Sequence, residues 1–223
     1  MARLFPNNAA NRFALATDVA LLKMQENDHQ WSGHFWAKLV ATTGDQAFLA
    51  KYPGTANRGI LLRTNGGGLG IFWIDPAAGG TGREGLSPTL TAGVWSSLGW
   101  HYHPGNNLMS VYLNGVLGTG GSGGSGFTYA GAQWKLGCRQ GNTNPLDGDL
   151  AEITFWDNLS LSPAQFVALS RGVPPSKVQP GGVIGRWPLY GNEATTESDF
   201  SGNGNHFALT GTVARSDHAP MGR

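Results

Sequence analysis

Between Gly148 and Leu169 the chain changes its hydrophobic period partway along. Ala151, Ile153 and Phe155 alternate with Leu150, Glu152, Thr154 and Trp156, the period-two pattern of a strand whose two faces are used differently. Asp157 to Ser160 then reads as a turn. Ser162 stands where a helix N-cap belongs, Pro163 suits the first helical position, and Phe166, Val167 and Leu169 fall at roughly helical spacing before Arg171-Gly172. The pattern predicts a strand followed by one short helix over 162–171.

The rest of the chain repeats the strand signal in short pieces. Leu4-Phe5 and Phe13 to Leu15 read as opening strands, and Asp18 to Met24 alternates weakly. From His34 to Ala41 the alternation is clean: Phe35, Ala37, Leu39 and Ala41 share one face, and His34, Trp36, Lys38 and Val40 the other. Phe48 to Lys51, Gly59 to Thr64 and Gly70 to Asp75 form a predicted meander, punctuated by Tyr52-Pro53-Gly54 and Asn65-Gly66-Gly67-Gly68. Asp75 to Pro88 is expected to be a long loop at an end or over a face of the fold. Val94 to His103 and Leu108 to Leu117 are two more strands, with Asn114-Gly115 a strong two-residue hairpin signal. Gly118 to Gly126 reads as a flexible surface tract, or as one ordered only against a neighbouring subunit. Val183 to Leu189 and His206 to Thr212 are late strands, with Asp199 to His206 a turn between them, and Ala214 to Arg223 is expected to be a tail with few anchors.

Composition narrows the class. Glycine contributes 35 of 223 residues, charged residues 13% and aromatics 10%, which suits many short strands joined by tight turns. A net charge of +1 without a Lys/Arg cluster leaves nucleic acid a poor partner. No apolar run approaches a membrane span, and Met1 to Met24 is too broken by polar residues to be a signal peptide. Cys138 is the one cysteine, so no internal disulfide can form, as expected of folding in a reducing cytoplasm, and Cys138 itself reads as a small buried hydrophobe.

The order strand, turn, capped helix and Gly-Val-Pro-Pro exit resembles the late strand and helix of the concanavalin A-like lectin/glucanase superfamily, in its laminin-G-like branch. Trp31 to Ala41, Ala92-Gly93-Val94-Trp95, Val111-Tyr112-Leu113-Asn114-Gly115 and Lys135-Leu136-Gly137 agree in the same order. The resemblance implies an all-β jelly-roll sandwich of two antiparallel sheets, with 1–223 as one domain and 183–213 supplying late strands that complete it. Ser201-Gly202-Asn203-Gly204-Asn205 resembles a turn that such domains commonly carry near their beginning, whereas here it stands near the end. Fold alone does not fix a function.

Glucan-cutting relatives carry a Glu-x-Asp-x-x-Glu or similar cluster, since retaining hydrolysis needs two carboxylates about 5 Å apart across the sugar bond. Here Glu26, Glu84, Glu152, Glu193 and Glu197 stand far apart, and Glu152 has only Asp149 near it. His101 and His103 share a strand face without a nearby third metal ligand. No serine-nucleophile motif and no phosphate loop is present. Calcium stays open, with Asp147, Asp149, Asn142 and Asn144, and Asp75 besides, as oxygen ligands, although turn formation explains them too. No cofactor is required. For sugars the candidates are Trp36, Trp73, Asp75, Trp100 and Tyr102, aromatic faces beside a carboxylate; Trp36, Trp73 and Trp100 alternate with core residues, on a second face that either binds a glycan or is covered by loops and late strands. Asn158-Leu159-Ser160 matches a glycosylation sequon, which in a chain read as lacking an export signal is a coincidence.

The sequence therefore points to a non-enzymatic binding or assembly module. Its late Trp187-Pro188-Leu189-Tyr190-Gly191 and Ser201 to His206 segments resemble those of bacteriophage virion proteins. That resemblance implies a capsid decoration, head fibre or tail component, folded in the host cytoplasm and located in the virion. Other virion proteins, glycans or a second copy would be its partners, with neither nucleic acid nor membrane. A free carbohydrate-binding module is the alternative, and a divergent glycoside hydrolase or lyase stands third.

Overall fold

A computed structural model describes residues 2–8, 12–15, 30–51, 59–74, 83–103, 108–119, 121–122, 133–191 and 195–221. The strands begin with β1 (Ala2–Pro6), β2 (Arg12–Leu15), β3 (Trp31–Leu39), β4 (Gln46–Lys51), β5 (Ile60–Thr64) and β6 (Leu69–Ile74). They continue with β7 (Arg83–Thr89), β8 (Ser96–His103), β9 (Leu108–Leu113), β10 (Val116–Leu117), β11 (Gly121–Ser122), β12 (Lys135–Leu136) and β13 (Asp147–Asp157). Helices α1 (Pro163–Ser170) and α2 (Pro175–Val178) precede β14 (Val183–Trp187), β15 (Thr196–Glu197), β16 (Phe207–Thr210) and β17 (Ala214–Ser216).

Hydrogen bonding sorts these strands into two antiparallel sheets. One runs β10-β9-β8-β3-β13-β1-β17, with β11 paired to β9 and β14 to β13; the other runs β15-β16-β2-β12-β4-β5-β6-β7. This is the two-sheet jelly roll expected from the sequence, and the aromatic residues between the sheets explain its cohesion. Phe155 touches three tryptophans, Trp134, Trp187 and Trp100, at centroid distances of 4.9, 5.5 and 5.9 Å, and Trp31 lies 5.3 Å from Tyr102. Such contacts add to the burial of large apolar side chains that holds a sandwich together. Gly33 faces Trp100 across β3 and β8, and a methyl group there would overlap the indole ring. A void between the sheets, lined by Phe35, Phe48, Leu62 and Trp100 among others, measures about 10 Å³, room for one water at most.

The late strands are part of this sandwich. β17 pairs with β1, β14 with the second half of β13, and β16 with β2. Arg3, buried on β1, reaches Glu197 on β15 and donates to the Val213 carbonyl at 2.9 Å. The turn before β16 is tied from within. The Asp199 carboxylate accepts from the backbone N–H groups of Arg186, Ser201 and Asn205 and from the Ser201 hydroxyl, at 2.7–3.0 Å. The Asn205 carbonyl in turn receives the Trp187 indole N–H at 2.7 Å. The Ser-Gly-Asn-Gly-Asn segment thus locks β14 to β16.

Several expectations need correcting. β13 does not alternate evenly: its register with β3 shifts between Ala151 and Thr154, and Glu152 adopts a left-handed φ of 51°. The extra residue of this bulge turns Leu150 inward with Ile153 and Phe155, while Ala151 and Glu152 both reach the outer face. Arg83–Thr89 is a strand paired with β6, not loop; it lies at the sheet edge, where Pro88 is tolerated. Gly121–Ser122 pairs with β9, and the rest of the glycine tract beyond Ser122 lies outside the described residues, as does Asp18 to Met24. A second short helix, α2, follows the first. The tail is anchored, through β17 and through buried Ala219.

Candidate functional site

Two surfaces of the sandwich merit a functional reading: the outer face of the nine-stranded sheet and one of the two ends. The outer face is built where β3, β8, β9 and β13 turn their non-core side chains away from the interior. On its β8–β9 side it is closed by α1. Ser162 caps this helix in a reciprocal box with Gln165, whose backbone N–H donates to the Ser162 hydroxyl and whose side-chain oxygen accepts from the Ser162 backbone N–H. The helix seats Phe166 on Gly99 and stacks it on Tyr112 at 4.2 Å. Beside it the His101 Nδ1 lies 3.0 Å from the Leu161 carbonyl, and burial pushes the His101 pKa down.

The β3–β13 side is polar and equally enclosed. His34 is 1% exposed, with Nε2 2.8 Å from the Ser97 hydroxyl, and burial lowers its pKa to about 3. Lys38 pairs with Asp149 at 2.8 Å and lies 5.3 Å over the Trp95 ring. Glu152, aimed outward by the bulge, pairs with Arg186 at 3.3 Å and faces His218 at 3.4 Å. Trp36 packs with Ala2 and Ala151 beneath Ala219 and Met221 of the tail, with Trp95 alongside.

These positions decide most of the sugar candidates. Trp100 and Tyr102 point inward and are fully buried in the main core, because β8 turns Leu98, Trp100 and Tyr102 to the interior and His101 and His103 outward; neither offers a face to a ligand. Trp36 does lie on the second face, but under the tail. Trp73 sits in β6 opposite Leu61 and Glu84; its side chain and Asp75 lie outside the described residues.

Most of the calcium candidates have other partners. Asp149 is neutralised by Lys38, the Asn142 side-chain oxygen accepts from Lys135 at 3.1 Å, and the Asn144 amide donates to the Asp45 carbonyl at 3.3 Å. The backbone N–H of Asp147 is held by Gln46 at 2.8 Å. Asn142 and Asn144 have φ of 59° and 49°, the left-handed turn geometry that asparagine tolerates. Among the described residues no group of three His, Cys, Asp or Glu side chains could hold a metal. Asn142, Asn144 and Asp149 are thus each engaged within the protein, and Asp75 lies outside the described residues.

The sequence reading missed Trp95, Arg186, Tyr190 and His218 as parts of one face. The Ala92 to Trp95 and Trp187-Pro-Leu-Tyr-Gly stretches had drawn attention to that neighbourhood for another reason.

The two ends of the sandwich differ. Register places Lys51, Ile60, Ile74 and Arg83 in one row across the second sheet, with Leu15 at the same end. In the first sheet Trp31, His103, Leu108 and Ser122 stand together, and Gly121 packs against Glu84 to bring the two rows to one end. The strand ends Leu15, Lys51, Ile74, Arg83, His103, Leu108 and Ser122 therefore share that end of the sandwich. The opposite end closes with short ties such as Gly68 N–H to the Asn65 carbonyl at 3.0 Å and the Asn114-Gly115 hairpin. Recognition commonly resides at such an end of a rigid scaffold.

Comparison with known proteins agrees with this architecture. The profile described as the concanavalin A-like lectin/glucanases superfamily, in its laminin-G-like form, matches residues 11–165. A search of curated proteins gave no match. Among solved structures, a presumed carbohydrate binding protein from Bacteroides ovatus aligns at 14% identity over 99% of this chain and 61% of its own, with a TM-score of 0.66. This chain thus spans about three fifths of that protein. Domain 4 of AbnA, an extracellular arabinanase from Geobacillus stearothermophilus solved with arabinotriose, aligns at 24% identity over 70% of this chain and 71% of its own, TM-score 0.52. The sialidase module CBM40 of Ruminococcus gnavus, bound to α2,3-sialyllactose, aligns at 15% over 70% and 93%, TM-score 0.53. At these identities the likeness is one of fold.

Proposed function

Because the chain belongs to the laminin-G-like branch of the concanavalin A-like lectin/glucanases superfamily, we propose that it is a non-catalytic recognition module that binds glycans and serves as a component of a bacteriophage particle. The lectin-like fold is common to the Bacteroides protein, the arabinanase domain and the sialidase module, two of them solved with an oligosaccharide. The observation that carries the reading is the disposition of the carboxylates: Asp149 and Glu152, the pair nearest to a hydrolytic arrangement, are bound to Lys38 and to Arg186. Carboxylates committed to ion pairs under a covering segment are unsuited to acid and nucleophile duty. Binding without turnover remains, and the end of the sandwich where Lys51, Ile74, Arg83 and His103 close their strands is the surface offered for it, with Trp73 in the last residues of β6. What supports attachment to a particle is the resemblance of the Trp187 to Gly191 and Ser201 to His206 segments to virion proteins.

An oligosaccharide array probed with the purified chain, run beside a reducing-sugar assay, tests the first part. Binding lost in Trp73→Ala and no sugar release are expected; release of reducing ends would overturn the non-catalytic reading. Size fractionation of the native assembly tests the second, since a chain that never travels with large particles is not a virion part.

A further inference from the structure

The outer face of the nine-stranded sheet holds more polar capacity than its protein neighbours use. Its charges cancel locally, Lys38 with Asp149 and Arg186 with Glu152. Among the described residues, further polar atoms on the same face are buried without a hydrogen-bonding partner, Trp36 Nε1, His34 Nδ1, Thr154 Oγ1 and Asp149 Oδ1 among them. They are neighbours by register, since Thr154 stands opposite His34, Ala151 opposite Trp36, and Asp149 opposite Lys38. Each such atom left unpaired costs free energy, and a fold that needed only to close this face would have placed apolar side chains there.

What closes it is the segment after β17. Residues Asp217–Met221 belong to no strand; Ala219 and Met221 rest on the Trp36 cluster, and His218 faces Glu152. At the margin Tyr190 lies 5.9 Å from His218 and 6.2 Å from Phe200, which is 57% exposed. An aromatic pair therefore borders the covered region on its open side.

We propose that this face is a binding site for an uncharged, hydroxyl-rich ligand, a neutral oligosaccharide, and that the segment 217–221 is a cover which the ligand displaces. The class of ligand rests on the lectin-like reading; the location and the cover do not. A charged ligand would leave one member of the matched ion pairs unbalanced in a buried setting. Hydroxyl groups both donate and accept, which suits an indole N–H beside a histidine nitrogen, a threonine hydroxyl and a carboxylate oxygen. The Trp36 ring supplies the flat apolar surface that sugar C–H groups pack on.

The test compares the full chain with Ala219→Arg, whose side chain cannot fit where Ala219 is buried, and with a chain ending at Asp217. Titration calorimetry uses cellotriose, maltotriose and arabinotriose, with α2,3-sialyllactose as the charged comparison. Both uncovered variants, with near-UV circular dichroism otherwise like the parent, are expected to bind a neutral trisaccharide at least tenfold more tightly than the full chain. Adding Trp36→Ala should abolish that gain. The inference is overturned if neither folded variant gains affinity, if the gain survives Trp36→Ala, or if only the sialylated sugar gains. Binding by the full chain that depends on Trp73 and ignores Trp36 would refute this site and leave the lectin-like reading standing; absence of binding by every form would refute both.

Discussion

His34 should make this protein acid-sensitive by a predictable amount. Its ring is enclosed on β3, with one nitrogen held by Ser97 and no carboxylate paired to it, so burial alone lowers its pKa from 6.5 to about 3. In the unfolded chain the same ring takes up a proton as pH falls through 6.5, whereas the folded protein keeps it neutral down to about 3. The contribution of His34 to stability is therefore complete above pH 6.5 and is lost progressively from there down toward 3. Each pH unit in that window corresponds to about 1.4 kcal/mol, so at pH 5 roughly 2 kcal/mol has gone, a large part of the ~5–15 kcal/mol typical of a domain. The assay is urea unfolding of the parent and of His34→Gln at several pH values between 7.5 and 5.0. Glutamine can still bond to Ser97 but does not titrate. The variant should be the less stable protein at pH 7.5, by about 1 kcal/mol, and the difference should shrink or reverse by pH 5. His101, also lowered by burial, loses stability in the same direction but is present in both proteins and drops out of the difference. Parallel stability curves for the two proteins would refute the reasoning.

Three other outcomes follow from the packing. Gly99→Ala sets a methyl group against the Phe166 ring and should lift α1 from the sheet, lowering stability by about 1–3 kcal/mol, read as a lower Tm together with a changed near-UV spectrum from Tyr112. Asp199→Ala removes the acceptor shared by four donors and should cost about 1–3 kcal/mol, with faster amide exchange at Ser201 and Asn205. Calcium at millimolar concentration and EDTA should give the same Tm, since a ligand present at a hundred times its Kd would stabilise by about 2.7 kcal/mol; a rise of several degrees with calcium would show a site that the described oxygen ligands do not form.

The elements most legible in the sequence were those in which one local rule decides the outcome. β3 alternates without interruption, and Phe35, Ala37 and Leu39 enter the core as their spacing predicts. Ser162 and Pro163 mark the start of α1, and Asn114-Gly115, with φ of 52° and 80°, makes the hairpin its dipeptide signals. Legibility failed where two influences competed. In β13 a bulge shifts the phase of the alternation, and nothing in Leu150-Ala151-Glu152-Ile153 distinguishes it from a regular strand. In β8 histidine, tyrosine and tryptophan suit either face; the inward choice of Trp100 depends on Gly33 and Phe155, and that of Tyr102 on Trp31, on strands β3 and β13 of the same sheet, residues distant in sequence. Arg83–Thr89 hid behind Gly85 and Pro88, which mark loops unless the strand lies at an edge. The anchoring of the tail depends on its pairing with β1, a partner more than two hundred residues away.

The bulge also connects the fold to the covered face. A glutamate at φ 51° is held in a region that costs an L-residue roughly 1–2 kcal/mol, and such conformations persist where the surroundings over-determine them. Here the surroundings are Arg186 from β14 and His218 from the tail, both reaching the carboxylate that the bulge turns outward. An unbulged β13 would keep its alternation and send residue 152 to the opposite side from Ala151, leaving Arg186 without its partner and His218 nothing to face. The irregularity is thus what brings β14 and the C-terminal segment to the same point on the sheet as Trp36. A strand defect retained at this position is better explained by what it gathers there than by the stability of the sandwich, which regular pairing would serve equally well.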